Sequence, residues 1–162
     1  ADVEKKWKGR RSQAHVYLFK DGTYHFLWPF SERNVWATKA ESRAKPGKEK
    51  MVHVEVDYAD NGEPNEKQYA SLANLYIRAC DVVGNYLTII PHIEVDRGLA
   101  DGHQDPQNFN YKKFYKILAD KGIPIENIGR FDHDRYWGKP SYKVPWASDK
   151  FSWPPVLSGA PH

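Results

Sequence analysis

The chain has 162 residues, a size typical of one globular domain, and hydrophobic residues make up 40% of it against 28% charged. No apolar run approaches the roughly 18 residues that a membrane-spanning helix needs. A net charge of +3, from 24 basic and 21 acidic residues that are evenly scattered, gives no basic footprint for a nucleic acid. Because Cys80 is the single cysteine, any metal bound by this chain needs histidine and carboxylate ligands.

The first third of the sequence predicts a short helix and a β-hairpin. Residues 1–11 are strongly charged and carry two apolar residues four positions apart, which favours a short helix or the end of a longer one. Two β-prone runs, residues 15–19 and 24–28, flank an Asp-Gly turn, which is typical of a hairpin. The basic stretch 42–50 predicts a solvated loop.

The middle of the sequence predicts a two-faced strand and a well-capped helix. In residues 51–58, valines alternate with His53, Glu55 and Asp57. One face of this strand is therefore apolar and the other carries three titratable side chains. Asn65 is a good N-cap for the helix that follows, and Gly84 is a good C-terminal stop.

The second half predicts an interior strand, another helix and an extended tail. Residues 86–90 form a short and almost wholly apolar run, which places His92 just past the end of a buried strand. A second helix begins near Tyr111. Residues 131–162 are rich in proline and aromatic residues and predict a tail that wraps around the domain.

These elements predict an α/β fold, with a central mixed β-sheet flanked by helices and an irregular aromatic C-terminal tail. A single domain spans residues 1–162, with a core at 1–123 and an extension at 124–162.

Histidine and carboxylate side chains concentrate after the predicted interior strand. Open α/β sheets bind ligands at strand ends, and zinc takes imidazole nitrogen and carboxylate oxygen. His92 and Asp105 can therefore supply two ligands of a metal site. The alternative, which the residue types alone favour, is a polar loop whose side chains bond to the backbone.

Four segments carry a motif pattern in a fixed order. They are HVYLFKDGT at residues 15–23, VHVEV at 52–56, a helix that begins at Gln68, and a segment at 90–106 that opens with IPHIEV and ends with Asp-Pro. Their order and spacing resemble the zinc-dependent type 2 N-acetylmuramoyl-L-alanine amidases, the superfamily that includes phage lysozyme-type amidases and peptidoglycan recognition proteins. The resemblance covers about residues 14 to 118.

The resemblance implies an amidase-like fold and hydrolysis of the amide between N-acetylmuramic acid and L-alanine. It makes Zn²⁺ the cofactor, with His92 as the second ligand and Asp105 as the third. Glu55 falls on the glutamate that acts near the metal. His103 takes the place of a lysine that stabilises the developing oxyanion, where an imidazole can also donate. The implied partner is peptidoglycan or a muropeptide, and the implied location is the periplasm, the cell envelope or the secreted fraction.

One zinc ligand of the family has no counterpart here. In the family, the first zinc ligand lies on a strand upstream of the first helix. Two further polar residues of the family site are replaced here by Ala14 and Ala37. His53 is the favoured replacement, because it lies two residues before Glu55 and so on the same face of the strand. His15 is the second candidate and needs a one-residue bulge to face the site. Two alternatives stay open: either histidine can be an ordinary strand residue bonded to a neighbour, or the ligand is an upstream residue that this sequence does not include.

Alternatives to this assignment stay open at the level of the sequence. A metal-free amidase-like module that binds muropeptide without cleaving it is favoured by the missing ligand and opposed by the presence of Glu55, His92 and Asp105. A metal hydrolase that acts on another amide is a third class. Lys39 and Glu41 near Trp36 can line a peptide groove, but a solvated loop is the simpler interpretation. A start at Ala1 rather than methionine is compatible with leader removal and export.

Overall fold

The computed structural model of the chain describes residues 8–43, 51–97, 99–129 and residue 131. Three short strands, β1 (Val16–Leu18), β2 (Tyr24–Phe26) and β3 (Val54–Val56), form a sheet in the order β2-β1-β3. The sheet is mixed, because β1 pairs antiparallel with β2 and parallel with β3.

Among the described residues, one helix lies between β2 and β3 in the sequence and the others follow β3. They are α1 (Lys39–Arg43), α2 (Glu66–Val83), α3 (His92–Val95) and α4 (Tyr111–Asp120), with a 3₁₀ turn at Ile125–Asn127. The fold is therefore a small mixed α/β arrangement, as the sequence predicts at this level.

Helix α2 begins and ends where the sequence predicts. The Asn65 side chain accepts a hydrogen bond from the Gln68 amide, and the Gln68 side chain accepts one from the Asn65 amide, which is a complete capping box. Gly84 closes the helix with φ of 91°, a left-handed conformation that glycine adopts without steric cost, and its amide bonds the Cys80 carbonyl.

Helix α2 is the central packing element. Leu75 and Ala79 pack with Val16 and Phe30 in one buried cluster that joins the helix to the sheet. A second cluster joins the helix to α4 and its flanks, and its members are Tyr69, Ala73, Tyr76, Cys80, Phe109, Tyr111, Phe114, Tyr115, Leu118 and Ile128. None of the helices in the described ranges has the length and apolar character that crossing a membrane requires.

The hairpin turn is held against α2 by close contact. Asp21 accepts hydrogen bonds from the amide and the hydroxyl of Thr23, and Gly22 has φ of 86°. A Cβ on Gly22 would lie 3.0 Å from the Cβ of Lys67 on α2. Glycine therefore satisfies both the backbone conformation and the close approach of the helix.

Several predicted elements are confirmed, and the strand predicted at residues 86–90 is wrong. The hairpin, α2 and α4 are present, although β1 and β2 are shorter than predicted. Residues 86–90 form no strand, because part of this segment bonds to α2: the Leu87 carbonyl accepts from the Tyr76 hydroxyl, and its amide meets the Cys80 sulfur. His92 is consequently the first residue of α3 rather than the residue that follows a strand.

Other predictions extend beyond the described residues. Residues 8–11 form a turn and a bend rather than a helix, and residues 1–7 lie outside the described ranges. The predicted loop at 42–50 begins within α1, and its residues 44–50 are not described. The predicted tail lies outside the described residues apart from residue 131.

His15, which directly precedes β1, bonds through its ring to the residue before β3 and to the turn at Glu32. It is fully buried, its Nδ1 accepts a hydrogen bond from the His53 amide at 3.1 Å, and its Nε2 lies 2.8 Å from the Glu32 carbonyl oxygen. The carbonyl can only accept, so the proton of the neutral ring is on Nε2. Burial lowers the pKa of His15 from 6.5 to about 4.

We predict that the free energy of unfolding falls as the pH drops from 6.5 to 4 because of His15. The pKa of His15 is higher in the unfolded chain than in the folded protein, so between pH 6.5 and 4 the unfolded chain takes up a proton that the folded protein does not. Acid therefore favours unfolding in this range, and His15 contributes fully to stability only above pH 6.5. A shift of this size corresponds to about 3 kcal/mol. Urea unfolding across this range should show a shallower pH dependence for His15→Gln than for the wild type, whereas His25→Gln on β2 should retain the wild-type slope. Equal slopes for all three proteins would contradict the assignment.

Candidate metal centre

Glu55, His92 and Asp105 meet at the surface end of a buried imidazole. Nδ1 of His92 lies 3.3 Å from Oδ2 of Asp105 and 3.6 Å from Oε1 of Glu55. One ligand atom from each of the three side chains lies within 4.8 Å of the others. The His92 side chain is 10% exposed, whereas those of Glu55 and Asp105 are 36% and 42% exposed. The group can hold a metal ion.

Each member of this triad is placed by a different element. Glu55 is the central residue of β3, and His92 opens α3 directly after Pro91. Asp105 is drawn to α3 because its carbonyl accepts a hydrogen bond of 2.8 Å from the Ile93 amide. The loop after Asp105 is fixed to the exit of β3 by two further bonds, from the Tyr58 hydroxyl to the Gln107 carbonyl and from the Asn108 amide group to the Asp60 carbonyl.

The triad has mutually dependent charges. Burial opposes protonation of His92, but the carboxylates of Asp105, Glu55 and Glu41 outweigh it and raise its pKa to about 9. Burial likewise opposes ionisation of Asp105, yet the His92 ring holds the pKa of that carboxyl below its ordinary value. Burial raises the pKa of Glu55, where the effects of His92 and Asp105 oppose each other. A cation at this position would relieve the repulsion between the two carboxylates.

A second histidine lies behind His92. His53 is 3% exposed, and its Nδ1 lies 3.1 Å from Nε2 of His92. Its Nε2 lies 2.7 Å from Oε1 of Glu41, whose side chain is 6% exposed. Both ring nitrogens of His53 therefore face protein atoms.

Glu41 is fixed by the start of α1. Its Oε1 accepts hydrogen bonds from the Ala37 amide and from the amide and hydroxyl of Thr38, while Thr38 Oγ1 accepts one from the Glu41 amide. Burial raises the pKa of Glu41, but the bonds to His53, Thr38 and Ala37 outweigh it and keep the pKa below the ordinary value. The sequence interpretation as a solvated loop missed this residue. The Thr-x-x-Glu spacing at 38–41 is a capping-box signal that was available to find the helix.

His103 stands beside the triad and is oriented by Asp96. Its Nδ1 lies 2.6 Å from Oδ2 of Asp96, and its ring centre is 5.5 Å from that of His92. Asp96 is buried and also accepts from the amides of Lys39, Ala40 and His103. The hydrogen bond to Asp96 raises the pKa of His103. Nε2 is the ring nitrogen left for other partners.

Gly102 allows this approach of His103 to Asp96. A Cβ on Gly102 would lie 2.7 Å from the Asp96 carbonyl oxygen and 2.9 Å from the Asp96 Cβ, closer than side-chain atoms ordinarily come. The loop can pass the end of α3 at this distance only because residue 102 has no side chain.

The structure brings together some of the sequence-predicted residues and separates others. Glu55, His92 and Asp105 form the triad, and His103 lies next to it. His53, predicted as the third ligand, is not placed in the triad, since its ring nitrogens face His92 and Glu41. His15 does not face the triad either, because both of its ring nitrogens meet backbone groups.

The triad borders a cleft of about 940 Å³. Glu55, His92, His103 and Asp105 supply polar lining, while apolar side chains from β3, α2 and residues 87–90 supply much of the rest. A cleft of this size with a few convergent polar groups is typical of a site for a small molecule or a peptide.

Compared with known protein families, curated proteins and solved structures, the chain matches none of them.

Proposed function

We propose that this chain is a zinc-dependent amidase that hydrolyses the bond between N-acetylmuramic acid and L-alanine in peptidoglycan. The observation that carries the proposal is the cluster of Glu55, His92 and Asp105, in which the buried Nδ1 of His92 faces both carboxylates, at 3.3 Å from Asp105 and 3.6 Å from Glu55. The resemblance of four ordered motifs to type 2 amidases supports the choice of substrate.

The triad fits zinc by the chemistry of its donors. A neutral imidazole nitrogen with carboxylate oxygens is a donor set that zinc takes in catalytic sites, whereas calcium and magnesium prefer oxygen ligands alone. The carboxylates of Glu55 and Asp105 repel each other where they face the His92 nitrogen, and a bound cation would offset that repulsion. His92 and Asp105 are proposed to hold the ion.

A bound zinc ion would polarise the scissile carbonyl and lower the pKa of its bound water to about 7. Glu55 is proposed as the base, which accepts the proton of the attacking water and returns it to the leaving amine. His103 is proposed to donate a hydrogen bond from Nε2 to the developing oxyanion, with its ring held by Asp96.

The cleft supports a substrate with both polar and apolar parts. A muropeptide has a sugar, amide groups and alkyl side chains, and the lining of this cleft is similarly divided. Under this proposal the partner is peptidoglycan and the site of action is the cell envelope or beyond it.

We predict that His92→Ala abolishes zinc retention and amidase activity. The variant removes the one nitrogen donor of the triad, while the backbone bonds of α3 remain available. Zinc content of the dialysed protein and release of peptide from peptidoglycan are the measurements, and His25→Ala on β2 is the control, expected to behave as wild type. A zinc-loaded, active His92→Ala protein would contradict the site. A wild-type protein that takes up no zinc but still binds muropeptide would favour the non-catalytic binding module.

We predict that Glu55→Gln retains zinc but turns over roughly 10²–10⁴ times more slowly, because the amide keeps the shape of the side chain and cannot act as a base. Glu126→Gln, an exposed substitution on the 3₁₀ turn, is the control and should not change turnover. Zinc stoichiometry and initial rates together distinguish a role of Glu55 as the base from a role as a zinc ligand. Loss of zinc in Glu55→Gln would make Glu55 a ligand, and turnover within about twofold of wild type would remove it from the mechanism.

A further inference from the structure

Glu41, His53 and His92 form a continuous buried chain of polar contacts that ends at the triad. The contacts measure 2.7 Å from Glu41 Oε1 to His53 Nε2 and 3.1 Å from His53 Nδ1 to His92 Nε2. The opposite nitrogen of His92, Nδ1, is the one that faces Asp105 and Glu55. All three side chains are at most 10% exposed, so water has little room to replace any of these partners.

The contacts between Glu41, His53 and His92 allow one placement of the ring protons that leaves Nδ1 of His92 available to a metal. A metal on Nδ1 of His92 requires the ring proton on Nε2, and that proton needs an acceptor. Nδ1 of His53 can accept only if the proton of His53 is on Nε2. That proton in turn needs an acceptor, and the Glu41 carboxylate, which can only accept, lies there.

We infer that Glu41 and His53 are positioning residues that fix the proton and the ring orientation of His92, so that Nδ1 is presented as a metal ligand. The inference rests on the proposed metal site and not on the amidase reaction. A carboxylate or carbonyl that holds the second nitrogen of a metal-bound histidine is a general feature of metal sites. Here a second histidine is inserted between the carboxylate and the ligand.

The series Glu41–His53–His92 is held in place at both ends, as residues with a positioning role must be. Glu41 is held by the Thr38 capping box at the start of α1, and the backbone of His53 is bonded to the His15 ring through its amide. His92 is held at the start of α3 by the helix backbone. The rings cannot rotate independently without losing a buried hydrogen-bond partner.

The first test compares zinc affinities of purified variants by competition with a coloured chelator. His53→Leu removes the acceptor for His92, and its affinity should fall about 10–100-fold. His53→Asn places an amide oxygen near the position of Nδ1, and its affinity should remain within a few-fold of wild type. Val16→Ala, in the apolar packing of the same sheet, controls for lost stability and should bind zinc as the wild type does.

Each affinity result has a defined meaning. Unchanged affinity in His53→Leu overturns the positioning role while leaving the metal site intact. Equal losses in His53→Asn and His53→Leu overturn it too, since they indicate that His53 is a ligand or a purely structural residue. A wild-type protein that binds no zinc overturns both this inference and the proposed function.

A second measurement on the wild type remains decisive even if the variants do not fold. Nitrogen-15 NMR of the histidine rings should show His53 protonated on Nε2 and bare on Nδ1 in the metal-free protein. After zinc is added, His92 should be protonated on Nε2 and coordinated through Nδ1. A proton on Nδ1 of His53, or coordination of zinc by His53, would overturn the inference.

Discussion

The segment at residues 37–40, which leads into the first turn of α1, is the constraint on which the candidate site depends, because its amide groups hold two buried carboxylates. Asp96 accepts from the amides of Lys39 and Ala40, and Glu41 accepts from the amides of Ala37 and Thr38. Lys39 and Ala40 are the first two residues of α1, so their amides have no partners within the helix and are available for an anion. Burying a carboxylate without such partners would cost several kcal/mol.

Each of these two carboxylates also contacts one histidine on the side of the triad. Asp96 bonds His103, and Glu41 contacts His53, which in turn contacts His92. The segment at residues 37–40 thus links His53 and His103, the two imidazoles that lie beside His92, although it contributes no side chain to the triad itself. Packing of α2 between the sheet and α4 brings β3 and the loop at Asp105 into reach of this arrangement.

The triad holds two negative charges close together, which is the arrangement that favours binding of a cation. Glu55 and Asp105 face each other across His92, and their like charges are unfavourable in a partly buried setting. A divalent cation held by these carboxylates and the His92 nitrogen would offset that repulsion. The adjoining cleft leaves room for a substrate that approaches from the apolar side.

The sequence by itself determined the elements whose signals are local. The Asp-Gly turn predicts the hairpin, and the cap at Asn65 with the stop at Gly84 predicts α2. The motif order drew attention to Glu55, His92 and Asp105, which lie together in the structure, but also to His53, which lies outside their triad. Local signals succeed here since turns and helix caps depend on neighbours only a few residues away.

Only the tertiary structure decided the partners of the buried polar groups. Residues 86–90 have the composition of a strand, but contacts with α2 take the backbone groups of Leu87. His53 has the right spacing to join Glu55, yet its ring contacts His92 and Glu41, which lie 39 and 12 positions away in the sequence. The two nitrogens of an imidazole have roles that depend on which donor and acceptor lie opposite them, and that is fixed by packing rather than by spacing along a strand.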